Sequence, residues 1–270
     1  MDTNDITSDF TTVTELPGIK VHSSQLSAAA TRYEFGKKFS HGKDVLEIAC
    51  GSGMGLGYLS QTAHSVVGGD IDKECLRVAR ETYKDNKKVD VISLDADNMT
   101  FADGSFDTIL LFEAHYYLNK TDTLFHTARR ILRPGGHLVI VSANRQCVEF
   151  NSSPYSVSYF SAQDLKDAMQ QQGFEVDIRV GFPITTNSLI KSGISLMRRL
   201  AVRMHLIPKT MRGKELLKRL FYGQLTPMPR LLQANMGSLE PLHDAPEETS
   251  PIRDFRVIYA VGRLPEQSDN

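Results

Sequence analysis

Val45-Leu46-Glu47-Ile48-Ala49-Cys50-Gly51-Ser52-Gly53-Met54-Gly55 joins a run of buried-strand character to closely spaced glycines, and a helical pattern from Leu56 to Gln61 follows. Glycine allows positive φ and a close approach of main chain to ligand. The stretch therefore reads as strand, tight turn and helix, with a ligand outside the carboxyl edge of a sheet. A dinucleotide fingerprint needs glycine where Leu56 stands, and no Gly-Lys-Ser/Thr follows. A ligand without phosphates fits better. The next apolar run ends in Gly68-Gly69-Asp70-Ile71-Asp72, where a carboxylate can accept two hydrogen bonds from a ribose diol and disfavours a 2′-phosphate. The third run ends in Leu94-Asp95-Ala96-Asp97, where a carboxylate can accept from an exocyclic amine such as that of adenine. A glycine turn alone also occurs without any ligand. Asp70 and Asp95, in register at the ends of successive runs, make it specific and outline an adenosine site.

A second group of reactive side chains follows the fourth apolar run: Leu111-Phe112-Glu113-Ala114-His115-Tyr116-Tyr117. His115 is the candidate general base, because a neutral imidazole accepts a proton near pH 7. Glu113 can orient it or contact a ligand amine, and Tyr116 can donate a hydrogen bond. The plain alternative for His115 is a helix-start residue facing solvent. Tyr117 belongs with Tyr155 and Tyr159 as candidates for an acceptor pocket. These last two lie in Asn151-Ser152-Ser153-Pro154-Tyr155-Ser156-Val157-Ser158-Tyr159-Phe160, a polar and aromatic loop of the kind that covers active sites. Their alternative role is to dock that loop on the sheet.

The elements that must position these groups alternate regularly. Asp44–Ala49, Ser65–Gly69, Val89–Leu94, Phe106–Phe112 and His137–Ser142 are short runs rich in Val, Ile and Leu, the mark of buried strands. Helical patterns lie between them at Lys73–Asn86 and Asp122–Leu132, and another precedes them at Ser24–Phe39. Strand and helix in alternation give an α/β, doubly wound parallel sheet with helices on both faces. Pro134-Gly135-Gly136 reads as a turn feeding the fifth strand, and Ser161 as the N-cap of a further helix. Two more strands are expected at Glu175–Gly181 and Asp254–Arg263.

On these residues the chain resembles the class I S-adenosylmethionine-dependent methyltransferases, most closely the bacterial small-molecule type. The resemblance rests on Glu-Ile-Ala-Cys-Gly-Ser-Gly-Met-Gly, Gly-Gly-Asp-Ile-Asp, Leu-Asp-Ala-Asp-Asn-Met-Thr-Phe-Ala-Asp-Gly-Ser-Phe-Asp and Arg-Ile-Leu-Arg-Pro-Gly-Gly-His-Leu-Val-Ile-Val. It covers about residues 24–181 and resumes at the final strand. It implies a seven-stranded sheet in the order 3-2-1-4-5-7-6 with strand 7 antiparallel. It implies S-adenosyl-L-methionine as cofactor: Glu47, Gly51 and Gly53 at its methionine part, Asp70 on the ribose, Ile71 on the adenine, Asp95 and the backbone of Ala96 at the adenine edge, and Phe112 at its flank. Arg32 and Tyr33 resemble a pair that closes over the cofactor in related enzymes. The expected reaction is methyl transfer to an oxygen, or a nitrogen, of a small-molecule acceptor in secondary metabolism or glycan or lipid modification. The other class of function is a cofactor-binding protein that does not methylate.

Composition bounds the rest. The 270 residues carry 31 basic and 32 acidic side chains, a net of −1, which argues against a nucleic-acid partner. No apolar stretch approaches a membrane span, and the polar start, with Asp2 and Asp5, does not read as a secretory signal. Cys50, Cys75 and Cys147 form no CxxC pair and have no metal-like spacing with histidine, so no metal is expected and the chain reads as cytoplasmic. Charge is uneven, however. Residues 186–232 hold ten basic side chains against Glu215 alone, +9, leaving −10 for the remainder. The expected organisation is a flexible segment 1–23, a core of 24–185 and 251–264, a basic helical insertion 186–250, and a tail 265–270. Apolar residues Leu189 to Met204 recur at helical spacing, and a second helix is expected over 212–222. The insertion is a lid, a pocket for an anionic acceptor, or a basic surface for peripheral contact with an anionic membrane.

Overall fold

The structure is a computed structural model, and it describes residues 16–153, 155–184, 225–246 and 251–266. In chain order the elements are β1 (Lys20–His22), α1 (Ser23–Lys37), β2 (Asp44–Ile48), α2 (Leu56–Ser60), β3 (Ser65–Asp70), α3 (Lys73–Tyr83), β4 (Val89–Ser93), β5 (Phe106–Phe112), a 3₁₀ turn (His115–Tyr117), α4 (Thr121–Ile131), β6 (Leu132–Ala143), α5 (Ala162–Gln171), β7 (Glu175–Pro183), β8 (Leu225–Pro227), β9 (His243–Asp244) and β10 (Phe255–Arg263).

The main sheet runs β4-β3-β2-β5-β6-β10-β7-β9, with β10 antiparallel to both neighbours. This is the expected 3-2-1-4-5-7-6 order, extended by the short β9 at its edge. The strands are apolar on both sides because both faces are covered. Along β5, Leu110 packs with Val45 and Val139 on one face, under α1, α2 and α3. Ile109 and Leu111 pack with Leu46, Ile48 and Ile140 on the other, under Phe125 of α4 and Leu165 of α5. From β2 the chain winds outward through β3 and β4, then returns to the other side as β5. The carboxyl ends of β2 and β5 therefore flank the point where crossover direction reverses, which opens a crevice there.

Local chemistry fixes the helices. Asp72 caps α3, its Oδ1 accepting from the amides of Glu74 and Cys75 at 2.9 Å each. Ser161 caps α5 in a reciprocal box with Asp164, as expected.

Two regions differ from the sequence expectation. Pro134-Gly135-Gly136 is not a turn ahead of the fifth strand but lies inside β6, where the pairing with β5 jumps from Phe106↔Leu132 to Thr108↔His137. A Cβ on Gly136 would sit 2.7 Å from the Arg133 carbonyl oxygen, so glycine lets the backbone bulge there. At the N-terminus, Lys20–His22 lies within the segment expected to be loose, yet it pairs antiparallel with β8 and buries Val21. The expected insertion, 186–250, divides. Its predicted helices, with the apolar series Leu189 to Met204 and the stretch 212–222, fall outside the described residues. Residues 225–246 lie on the core: the Leu232 amide donates to the Met54 carbonyl at 2.9 Å, and the Glu240 amide to Thr31 Oγ1 at 3.1 Å. No helix among the described residues is long and apolar enough to cross a membrane.

Candidate active site

The glycine turn leaves β2 through three residues of positive φ: Ala49 at 56°, Gly51 at 56° and Gly53 at 75°. Asp70, at the end of the neighbouring strand, holds this turn in place. Its Oδ2 accepts from the Gly51 amide at 2.7 Å and its Oδ1 from the Asp72 amide at 2.9 Å. Burial pushes the Asp70 carboxyl above the usual range, and those two amides oppose the shift. The Leu94 amide donates to the Asp70 carbonyl at 2.9 Å, which brings Asp95 beside Asp70. Gly69 allows this crossing, since a Cβ there would meet the Leu94 side chain at 2.5 Å. Asp95 is exposed and Ala96 half-buried, while Ile71 is 58% exposed, an apolar side chain held in the open beside the carboxylate.

Sequence reasoning missed the brace behind the turn. Tyr83, from the last turn of α3, donates its hydroxyl to the Gly53 carbonyl at 2.5 Å and accepts from the Gly57 amide at 2.9 Å. The only signal was a tyrosine ending an amphipathic helix, which a core position explains equally well.

On the opposite side of the turn stands a buried polar cluster. Tyr33 of α1 donates to Glu47 Oε1 at 2.6 Å, and its ring lies against the backbone of Gly55, where a Cβ would sit 1.9 Å from the ring. Phe112 meets Tyr33 edge-on at 5.3 Å, and the Arg32 guanidinium lies 5.6 Å from the Tyr33 ring centre. Glu47 is buried, and its Oε2 has no hydrogen-bond partner among the described residues. Burial raises its carboxyl to about 7; the Tyr33 bond and the Arg32 charge work against that rise.

The second group gathers at the end of β5. Glu113 adopts φ of 52° and receives the Tyr116 hydroxyl at 3.1 Å. Tyr116 stacks on Tyr159 at 4.3 Å, Phe150 meets Tyr159 edge-on at 4.8 Å, and the Tyr117 hydroxyl lies 2.5 Å from Ser153 Oγ. His115 does not face solvent: it is buried among Tyr116, Tyr159 and Phe160. Neither ring nitrogen has a hydrogen-bond partner among the described residues, so Glu113 does not orient the imidazole in this state. Burial lowers its pKa to about 4, which keeps the ring neutral. The loop after β6 is thus docked through Tyr159, whereas Tyr155 stands at its rim, exposed.

An open groove of about 840 Å³ lies elsewhere, between α1, the ends of β7 and β10, and residues 239–242. Its rim carries Glu34, Lys38, Glu175 and Arg263, and it lacks the orphaned buried groups seen at the carboxyl edge.

Comparison with known proteins agrees with this geometry. Residues 46–140 match the family model described as a methyltransferase domain. A phthiotriol/phenolphthiotriol dimycocerosates methyltransferase of Mycobacterium tuberculosis is 32% identical over 120 residues, 44% of this chain and 42% of that protein. A probable S-adenosylmethionine-dependent methyltransferase of Mycolicibacterium smegmatis is 27% identical over 146 residues, 52% of this chain and 55% of that protein. The chain thus spans about half the length of the curated relatives it matches. Among solved structures, a methyltransferase of Thermotoga maritima, titled a possible histamine N-methyltransferase, superposes with a TM-score of 0.57 at 16% identity, over 88% of this chain and 89% of that one. That likeness concerns the fold.

Proposed function

From the premise that residues 46–140 form a class I S-adenosylmethionine-dependent methyltransferase domain, we propose that the protein transfers a methyl group from that cofactor to an oxygen, or else a nitrogen, of a small-molecule or lipid acceptor. The observation that carries this reading is Glu47: a buried carboxyl with one oxygen held by Tyr33 and the other open, next to a glycine turn clamped by Asp70.

The residues present fit the cofactor. Glu47 Oε2 offers an acceptor for an ammonium group at the methionine end, beside the backbone of Gly51 and Gly53. The Asp70 carboxylate accepts from the Gly51 and Asp72 amides and, as a four-lone-pair acceptor, retains capacity for a ribose hydroxyl. Ile71 supplies an exposed apolar surface for the adenine, and Asp95 with the Ala96 backbone its polar edge. Tyr33 and Phe112 wall the crevice. When bound, the cofactor supplies an electrophilic methyl on a sulfonium sulfur, so the protein's share is alignment, desolvation and the acceptor's proton.

For that share, the end of β5 provides Glu113, His115 and Tyr116. The neutral imidazole of His115 can accept an acceptor's hydroxyl proton, and such a bond would satisfy a nitrogen now buried without a partner. Reaching it requires Tyr159 and Phe160 to give way. Tyr117, Tyr155 and Tyr159 are the proposed acceptor contacts. The relative named for phthiotriol and phenolphthiotriol dimycocerosates supports extending the acceptor class from small metabolites to lipids. Cys50, Cys75 and Cys147 are buried and none is in a disulfide among the described residues, in keeping with a reducing, cytoplasmic setting.

The test is an acceptor screen read by mass spectrometry. The reading predicts S-adenosylhomocysteine formed in step with a methylated product. Tight cofactor binding with no S-adenosylhomocysteine from any acceptor would favour the non-methylating alternative.

A further inference from the structure

We propose that Arg145 is a positioning residue of the acceptor half: together with Asp164 it latches Phe160 over His115, and an acceptor reaches the imidazole only after that latch lets go. The link to acceptor entry rests on the methyl-transfer reading; the latch itself does not.

Arg145 projects from a fixed base, two residues beyond β6. Asn144, before it, donates to the carbonyls of Ile252 and Phe255 at 2.6 and 2.8 Å, and Gln146, after it, accepts from the Ile252 amide at 3.0 Å. The guanidinium then divides its two terminal nitrogens. Nη1 donates to the Tyr159 carbonyl at 3.0 Å, and Nη2 lies 2.8 Å from Asp164 Oδ2 in the first turn of α5. That same oxygen accepts from the amide and the hydroxyl of Ser161 at 2.6 and 2.7 Å.

These contacts bracket Phe160. The Tyr159 carbonyl belongs to the peptide unit before Phe160 and the Ser161 amide to the unit after it, so both planes that set its φ and ψ are held at once. With its backbone fixed, the Phe160 ring lies 5.5 Å from the His115 imidazole and stacks on Phe125 of α4 at 6.3 Å. Tyr159 closes the adjoining side, its hydroxyl accepting from the Ser153 amide at 2.9 Å and its ring stacked on Tyr116. His115 is left 1% exposed.

The fastening is placed where solvent reaches it. The Arg145 and Asp164 side chains are 46% and 39% exposed. An ion pair in that position holds weakly and yields to salt. Behind it lies an imidazole with no partner at either nitrogen among the described residues, an arrangement that costs free energy while the site is shut and that a bond from an acceptor hydroxyl would relieve. A weak outer latch over an unsatisfied inner group favours a site that opens for its acceptor over a core closed for stability alone.

The experiment is carbethoxylation of the full chain by diethyl pyrocarbonate at pH 7, followed at each histidine by peptide mass spectrometry; it needs no acceptor. His64, with a side chain 75% exposed, and the half-buried His137 of β6 serve as internal references. In the wild type, His115 should react about tenfold more slowly than His64 or slower still, because it is shut in. Arg145→Gln should speed the reaction at His115 about fivefold, Asp164→Asn about threefold and Arg145→Lys least, with His64 and His137 unchanged. Raising the salt from about 0.05 to about 0.5 M should speed it about twofold in the wild type and leave Arg145→Gln unaffected. Unchanged S-adenosylhomocysteine binding by Arg145→Gln shows that it is folded; should it not fold, Asp164→Asn decides. The proposal is overturned if His115 of the wild type reacts as fast as His64, or if neither variant changes its rate. It is equally overturned if His137 speeds up in step with His115, since the substitution would then loosen the whole domain. Failure of the wild type to bind S-adenosylhomocysteine would instead strike the methyl-transfer reading, whatever the histidines show.

Discussion

Glu47 and His115 sit at the carboxyl ends of adjacent strands, and both are buried polar groups with unused hydrogen-bonding capacity. They differ in what surrounds them. Glu47 has Tyr33 on one oxygen and the Arg32 charge nearby, so half of its demand is met before any ligand arrives. His115 has aromatic rings around it and no hydrogen bond at either nitrogen among the described residues. The proposed cofactor half is thus polar and preorganised, whereas the proposed acceptor half is apolar and its polar group lies behind a ring. Preorganisation suits a ligand common to a whole family. A closed aromatic cluster suits an acceptor that must open its own place.

The largest expected effect tests the acceptor half. His115→Phe keeps the ring packing and removes the proton acceptor, and should lower kcat about 100-fold with cofactor binding intact. A change below about threefold would make His115 a packing residue. In the cofactor half, Asp70→Ala removes the partner of the Gly51 and Asp72 amides as well as the proposed ribose contact. It should weaken S-adenosylhomocysteine binding by about 2 kcal/mol or more, roughly thirtyfold, in calorimetric titration. Unchanged affinity would remove Asp70 from the site.

The protonation of Glu47 gives the next effect. Its carboxyl is raised to about 7, so a cation binds against a mostly protonated group below that pH and against a carboxylate above it. Cofactor affinity should rise about tenfold between pH 6 and pH 8 through this linkage, and Glu47→Gln should flatten that rise. Tyr33→Phe removes a bond that lowers the Glu47 pKa. It should cost about 1 kcal/mol of cofactor binding, near fivefold, and move the affinity curve to higher pH.

The smallest effect sharpens the contrast by sign. Glu47 is an acid raised from 4.5, so its contribution to stability is full below that pH and is lost as pH rises toward about 7. His115 is a base lowered from 6.5, so its contribution is full above that pH and is lost as pH falls toward about 4. In urea titrations of the ligand-free protein, Glu47→Gln should relieve the loss on the neutral side and His115→Phe that on the acid side. The same shift from both variants would contradict the assignment.

The two halves were unequally legible in the sequence. Strand positions and the glycine turn followed from short apolar runs and from Gly51, Gly53 and Asp70, because local pattern dictates them, whereas the strand order came from the family resemblance. Tyr83 was invisible, since its partners Gly53 and Gly57 lie far upstream and nothing in its spacing points to them. The bulge at Gly135 and Gly136 read as a turn because proline and glycine mark both. His115 read as the candidate base with a solvent-facing helix start as its alternative, and its burial left no local trace because it comes from Tyr159 and Phe160 on a distant loop. Likewise, the pairing of Lys20–His22 with Leu225–Pro227 spans most of the chain and leaves no local trace.

The central claim is the shape and charge of the crevice at the ends of β2 and β3, and isothermal calorimetry of the intact chain with S-adenosylhomocysteine addresses it most directly. One saturable site, tightening from pH 6 to pH 8 and losing that slope in Glu47→Gln, is the predicted result. Folded protein that releases or absorbs no heat with this ligand, at any pH across that range, would contradict it.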